Sequence, residues 1–453
     1  MSTIATRLPP GPPLPKLVQG ALGLAAQQRA IEWMHRRYGD VFAVALPAIG
    51  RAVVVSDPEL VRYVFRADPK VLHAGSQSPL RAVLGRHSLL AIDEDYHLSQ
   101  RKLLLPPFHG ERMKSYEAII EEEAEREMAS WPTDQPFRTL EPFSRITLNA
   151  IIRAVFGAQE EDAEDLRRVL PDLVARGSRL ALLPFLHHDL GRFSPWGKFL
   201  ARRAEFDAVV DRLLTRARSD ERLDERSDVL ALLVQARHED DTPMHRDEIA
   251  DELLTLLAAG HETTAATLAW AVERLRRHPH VVARLTQEVR DGLSELRDAT
   301  IREVQRVRPT ITGAGRQARE PYPLGEWVIP TGTVIMVSAQ LIHNDARWYT
   351  EPERFDPDRF LGRKPDTYRW IPFGGGIRRC IGAAFAHMEM NIVLRTLLSS
   401  FEVAAASDGG EGWRFRGVAF APRRGGVAVV RRRARPLGPP ARTEEVAEPV
   451  AVA

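Results

Sequence analysis

The sequence predicts a mainly α-helical protein with a smaller β-rich lobe. Three observations carry this reading. A helical apolar period dominates from about Glu111 to Arg297. Strand-like runs rich in Val occur only towards the two ends of the chain. One long segment, Glu248–Leu275, is apolar on nearly all sides of its middle, as a helix threaded through a core must be. The 453 residues are 44% hydrophobic and 27% charged, which suits a globular unit large enough to fold without staples.

The elements follow in order. Pro9–Pro15 reads as an extended lead-in closing residues 1–15. Asp40–Val55 reads as two strands around a Pro-Gly turn region. Asp57–Phe65 is a short helix, with Asp57 as cap and Pro58 in its first turn. Helices are expected at Ser115–Trp131, Arg145–Phe156, Glu161–Leu170, Lys198–Arg218 and Asp228–Arg237. The segment Glu248–Leu275 holds no breaker except Gly260 and is stopped by Pro279; it should be roughly 40 Å long. Strands return at Trp327–Val337, Phe401–Ala405 and Val427–Arg431, with a Gly-rich turn at Asp408–Gly412. From Arg431 the chain is rich in Pro, Ala and charge and reads as a disordered tail. The organisation is therefore one unit over 16–433 and a tail over 434–453.

Composition excludes several classes. The net charge of +2 gives no reason to expect nucleic acid. One cysteine forbids an intramolecular disulfide and a Cys-rich zinc or iron–sulfur site. No apolar run reaches 18 residues and the N-terminus lacks a signal pattern, so no transmembrane anchor and a cytoplasmic location are expected.

Two places are chemically odd. In the middle of the long apolar helix stands Ala259-Gly260-His261-Glu262-Thr263-Thr264. An acid and two hydroxyls there need partners or a task. Ala259-Gly260 would let something approach the backbone closely. Position 265 is Ala, so His261-Glu262 does not open a zinc-protease motif. The only cysteine, Cys380, follows Gly374-Gly375-Gly376 and precedes the helical run Ala383–Leu398. Free amide N–H groups and a helix N-terminus near its sulfur would favour the thiolate. An inert core cysteine, a nucleophile and a metal ligand all remain open on this residue alone.

The loop around Cys380 resembles the haem-binding signature of the cytochrome P450 family. Phe373, Gly376, Arg378, Cys380 and Gly382 occupy its five fixed positions. The resemblance runs from about Pro9 to Arg433 and is strongest to soluble actinobacterial members. It implies the fold of that family, with haem b held between the long distal helix and the Cys loop and its helix. It makes Cys380 the axial ligand of the haem iron, with Phe373 beside the sulfur. AGHETT resembles the oxygen-activation segment, which assigns Gly260 to leave room for dioxygen and Glu262 with Thr263 to manage protons. His97 and Arg101, one helical turn apart, resemble the pair that binds a haem propionate, and Arg316 and Arg378 resemble the other propionate partners. Glu303 and Arg306, with Arg359, resemble a buried structural network.

The implied activity is a haem-thiolate monooxygenase that inserts one oxygen atom of O2 into a hydrophobic small molecule. Electrons would come from NAD(P)H through a ferredoxin and a ferredoxin reductase, docking near Arg379 and Lys102. A peroxide-driven enzyme and a non-catalytic haem sensor are the alternatives, and the acid–alcohol pair disfavours both. The expected pocket wall is Pro79–Ile92, Leu180–Leu186, Leu256–Thr263, Thr310–Ala314 and Val418–Phe420. The loop Leu180–Leu190, with Phe185 and Trp196 near, would pack as a lid or touch a membrane surface. Two departures stand out. The span from Pro279 to Glu303 is short, implying that a small connecting helix is missing, and Gln305 replaces an apolar residue.

Overall fold

The computed structural model describes residues 6–46, 50–75, 78–110, 112–158, 160–181, 183–406, 408–417 and 419–438. Its axis is the helix Arg246–Leu275, 30 residues and about 45 Å long. Glu248 fixes its start by accepting the His245 backbone N–H at 2.7 Å, half of a capping box. The helix Leu140–Ile151 crosses its middle, where Thr147 Oγ1 donates to the His261 carbonyl at 3.0 Å. Arg112–Ala129, Glu295–Val307 and Ala383–Ser400 complete the inner helical layer. Trp270 is fully buried among them and donates Nε1–H to Phe420 O.

An outer pair, Glu160–Ala181 and Pro195–Arg218, packs together over the long helix. The first runs through Pro171, although the sequence reading ends it at Leu170. Its apolar stripe of Leu166, Leu170, Leu173 and Val174 continues across the proline, and burying that stripe outweighs one missing N–H.

The β lobe is a five-stranded sheet. Its order is Val41–Leu46, Gly50–Val55, Val334–Ser338, Gly313–Ala318 and Leu72–His73. Gly50–Val55 runs parallel to Val334–Ser338, with Ala52 opposite Val334, and the other pairs are antiparallel. Three sequence readings need correction here. Trp327–Val337 is two strands, Trp327–Ile329 and Val334–Ser338, in different sheets; Pro330 and Gly332, at φ +81°, part them. Gly313–Ala318 was not expected as a strand, because GAGRQA holds no β-branched residue. Arg431 and Arg432 belong to the strand Val430–Arg432, paired with Phe401–Val403, and not to a tail. Buried Val430 anchors it, Arg431 meets Asp134 and Arg433 meets Glu402. Residues 439–453 lie outside the described residues. The helix Lys16–Tyr38 was also not foreseen; it ends at Gly39, whose φ of +85° suits glycine.

Candidate active site

The Cys loop is built against the helix Pro58–Phe65. That helix begins where Asp57 accepts the Glu59 and Leu60 amides. A Cβ on Gly376, at φ +64°, would fall within 1.9 Å of Phe65 O, and one on Gly375 within 2.2 Å of its ring. Only glycine permits this approach. Cys380 N–H then closes the loop onto Phe373 O at 3.0 Å, and Ala383–Ser400 leads away. Phe373 packs edge-on against Trp370.

Between this loop and the long helix lies a cavity of about 510 Å³. Cys380 is exposed to it, while protein surrounds the residue on its other sides. Burial pushes its thiol pKa up, against the Gly382 amide and the charges of Arg101 and Arg379. The amide and helix end that the sequence suggested would favour thiolate are thus outweighed by desolvation. Deprotonation needs a cation at the sulfur.

Across the cavity stand Gly260, Thr263 and Thr264. Thr263 Oγ1 donates to Ala259 O at 2.8 Å. The space that Gly260 leaves towards the crossing helix is taken by Ile151, whose Cδ1 would lie 2.6 Å from a Cβ. Glu262 is not in the cavity lining; it accepts Arg416 Nε at 2.7 Å. Sequence reasoning missed Glu389, which reaches Thr264 from the helix after the Cys loop and is pushed up to about 8 by burial.

One end of the cavity wall is cationic. His97, Arg101, Arg316 and Arg378 all line it. His97 lies on Glu94–Leu104, buried, with no partner for Nδ1. Burial, then Arg378 and Arg101, holds its pKa down to about 3. Burial also lowers Arg101, and it brings Arg316 and Arg378 down to about 10. Arg378 pairs with Asp93 and with the carbonyls of Leu89 and Ile92. Arg101 and Arg316 have no carboxylate ion pair among the described residues. The wall therefore lacks anionic groups to match its charge.

Glu303, Arg306 and Arg359 come together behind the site. Arg306 forks onto Glu303 at 2.7 and 2.8 Å, and Arg359 Nε lies 3.6 Å from Glu303 Oε1. Neither side chain of the Glu303–Arg306 pair has exposed surface. Burial raises the Glu303 pKa despite its arginines. Arg306 also donates to the carbonyls of His343, Pro352 and Arg354. His343 Nε2 accepts Ile371 N–H at 2.9 Å, tying the network to the start of the Cys loop.

That bond requires a neutral imidazole. Burial, then Arg306, depresses the His343 pKa to about 3. The unfolded chain protonates this histidine near 6.5, so its contribution to stability is lost as pH falls from about 6.5 towards 3. Urea melts of wild type and His343→Gln across that range should show a shallower pH slope in the variant.

Several expected wall positions move. The outer helix contributes Leu173, Val174, Gly177 and Ser178 rather than Leu180–Leu186, and Phe185 faces solvent. Phe420 does not line the cavity, and Val418 lies outside the described residues. Trp196 stacks between His187 and Phe199, holding the adjoining loop back on the helix. Gln305 does line the cavity, buried and with Oε1 unpartnered. Lys102 is engaged with Glu239 at 2.7 Å.

The sequence profile of the family described as Cytochrome P450 matches residues 9–425. The chain belongs to the cytochrome P450 family. A relative described as putative cytochrome P450 138, from Mycobacterium tuberculosis, is 50% identical over 94% of this chain and 97% of its own. Putative cytochrome P450 135B1 of the same organism is 38% identical over 95% and 92%. Among solved structures, the retinoic acid-bound cyanobacterial CYP120A1 matches with a TM-score of 0.82 at 21% identity, covering 95% of this chain and all (100%) of that one. The cytochrome P450 CYP102L1 matches at 0.80 and 24%, covering 95% and 100%.

Cytochrome P450 proteins are haem-thiolate monooxygenases that bind haem b through a cysteine thiolate and normally draw electrons from redox partners. The residues present fit that group. The chain's one cysteine opens into the cavity, and a half-satisfied cationic wall with an orphaned His97 Nδ1 suits the carboxylates of a haem. No helix among the described residues is long and apolar enough to cross a membrane.

Proposed function

We propose that this cytochrome P450 oxidises a hydrophobic small molecule, using electrons from NAD(P)H passed through a ferredoxin and its reductase. One observation carries the reading: the only cysteine and the Gly260–Thr264 segment face each other across one cavity. Cys380 would hold the haem iron through its thiolate, with Phe373 beside it. His97, Arg101, Arg316 and Arg378 would hold the haem carboxylates. The haem, when bound, supplies the reduction of O2, one atom entering the substrate and the other leaving as water.

The chain's own work is to handle protons and exclude water. Thr263 Oγ1 gives its proton to Ala259 O, so its lone pairs are free to accept a donor in the cavity. Glu262 is the adjacent acid, and its ion pair with Arg416 connects it to the outer face. Releasing Arg416 would let it carry protons from there to Thr263. Apolar side chains including Leu80, Val83, Leu89, Leu256 and Ile311 keep the chamber dry and select an apolar substrate. A cytoplasmic location goes with this reading, since that compartment supplies NAD(P)H.

With surrogate ferredoxin and reductase, Thr263→Ala should consume NAD(P)H while product formation falls roughly 10²-fold. Peroxide-driven turnover should change much less, because peroxide carries its own protons. Unchanged coupling in the variant would remove Thr263 from the relay. On the partner side, Arg379→Glu should slow reduction by an acidic ferredoxin and flatten its salt dependence. Stopped-flow reduction at several ionic strengths reads both effects.

A further inference from the structure

Towards the start of the long helix the cavity wall contains a carboxyl without a partner. Glu252 has no exposed surface, and neither of its oxygens makes a hydrogen bond among the described residues. It shares the lining with Leu84, Leu89, Thr255 and Leu256. The groups around it are engaged elsewhere. Asp251 takes Arg203 at 2.6 Å and the His87 N–H at 3.1 Å. Glu248 takes Tyr96, Gln100 and His238. Thr255 donates to Asp251 O at 2.6 Å and accepts the Ser88 hydroxyl at 2.7 Å. The Leu89 amide acts on Glu252 without reaching hydrogen-bond geometry. An orphaned buried polar group is costly and needs an explanation.

The position is informative. Glu252 and Thr263 are eleven residues apart, which places them on one helix face about 16 Å apart along the axis. Leu256 and Gly260 lie between them on the same stripe, and all four line the cavity. We propose that Glu252 is the polar end of the substrate site, exchanging hydrogen bonds with the hydroxyl of an elongated lipophilic alcohol whose far end lies at Thr263. The inference rests on the cavity being the substrate chamber.

The chemistry selects this partner. Burial, with Asp251 and Glu248 nearby, pushes Glu252 up to about 8. At neutral pH it is mostly a neutral acid, one O–H donor with an acceptor oxygen, and a hydroxyl offers the complementary pair. A carboxylate ligand would meet the charges of Asp251 and Glu248. The Leu89 backbone lies beside the Glu252 carboxyl, and Ser88 is bonded to Thr255 one turn along, so an alcohol that reaches the carboxyl has to displace this segment.

Spectral titration of the haem-loaded protein with 1-dodecanol and with its methyl ether tests this. The wild type should bind the alcohol about tenfold more tightly. Glu252→Leu should erase that preference by weakening the alcohol alone, and Glu252→Gln should keep part of it. The ligand-free Glu252→Leu protein should melt at a higher temperature, since an orphaned acid is gone. Equal affinities in the wild type, no shift with either probe, or a preference that survives Glu252→Leu overturns the inference. Reduced carbonyl spectra of each protein separate the levels. A thiolate-type band with no alcohol preference sinks the Glu252 role alone, and a wild type without that band sinks the haem reading and this one together.

Discussion

Cys380→Ala should yield a protein whose reduced carbonyl complex has lost the thiolate-type band entirely. No second cysteine exists to replace it. His97, the histidine of the cavity lining, is a neutral nitrogen donor set among arginine charges and cannot give a thiolate-type band. Loss of the sulfur should also reduce haem retention, because Gly374, Gly375 and Gly376 shape a loop around an atom no longer there. Secondary structure should persist, as the loop's own closure uses the backbone bond from Cys380 N to Phe373 O. Circular dichroism beside the carbonyl spectrum separates ligand loss from unfolding. A variant that kept the thiolate-type band would remove Cys380 from the iron.

The second large effect is on stability. Glu303→Gln should destabilise the folded protein by about 3–5 kcal/mol, because it strands Arg306 as a buried charge and takes the carboxylate from half-buried Arg359. Arg306→Ala should be at least as damaging. It leaves the buried Glu303 carboxylate with only Arg359 and the Asp356 amide, and removes the donor to the His343, Pro352 and Arg354 carbonyls together. Both substitutions lie away from the cavity lining, yet His343 links the network to Ile371 and so to the Cys loop. Haem content should fall with stability. Urea unfolding followed by fluorescence checks the size; a change below about 1 kcal/mol would mean the pair is solvated like a surface one.

Much of the fold could be read from periodicity, for reasons visible in single elements. Glu248–Leu275 has no breaker and an all-round apolar middle, so the structure extends it by only two residues at the start. Asp57 and Pro58 marked a helix start by chemistry alone. Where tertiary pairing decides, sequence patterns failed. Gly313–Ala318 is a strand because both neighbours pair with it, and its own residues have no such preference. The helix through Pro171 is carried by burial across an outer layer that the chain cannot advertise locally.

The site divides in the same way. Cys380, Thr263, His97, Arg101, Arg316 and Arg378 were named by resemblance to the family's segments, and all line one cavity. Glu262 was named too, but its side chain turns to Arg416, a contact 154 residues away that no local pattern encodes. Glu252 and Glu389 were invisible for a related reason. An acid on a helix reads as a solvated face until the fold buries it.

Cys380 and the Gly260–Thr264 segment face each other across one cavity, and a haem held there by the cysteine thiolate is what the proposed function depends on. The reduced carbonyl spectrum of the purified wild-type protein, expressed with ample haem precursor, tests it most directly. The account predicts the band of a thiolate-ligated haem. A colourless preparation, or the band of a histidine-ligated haem, would contradict it.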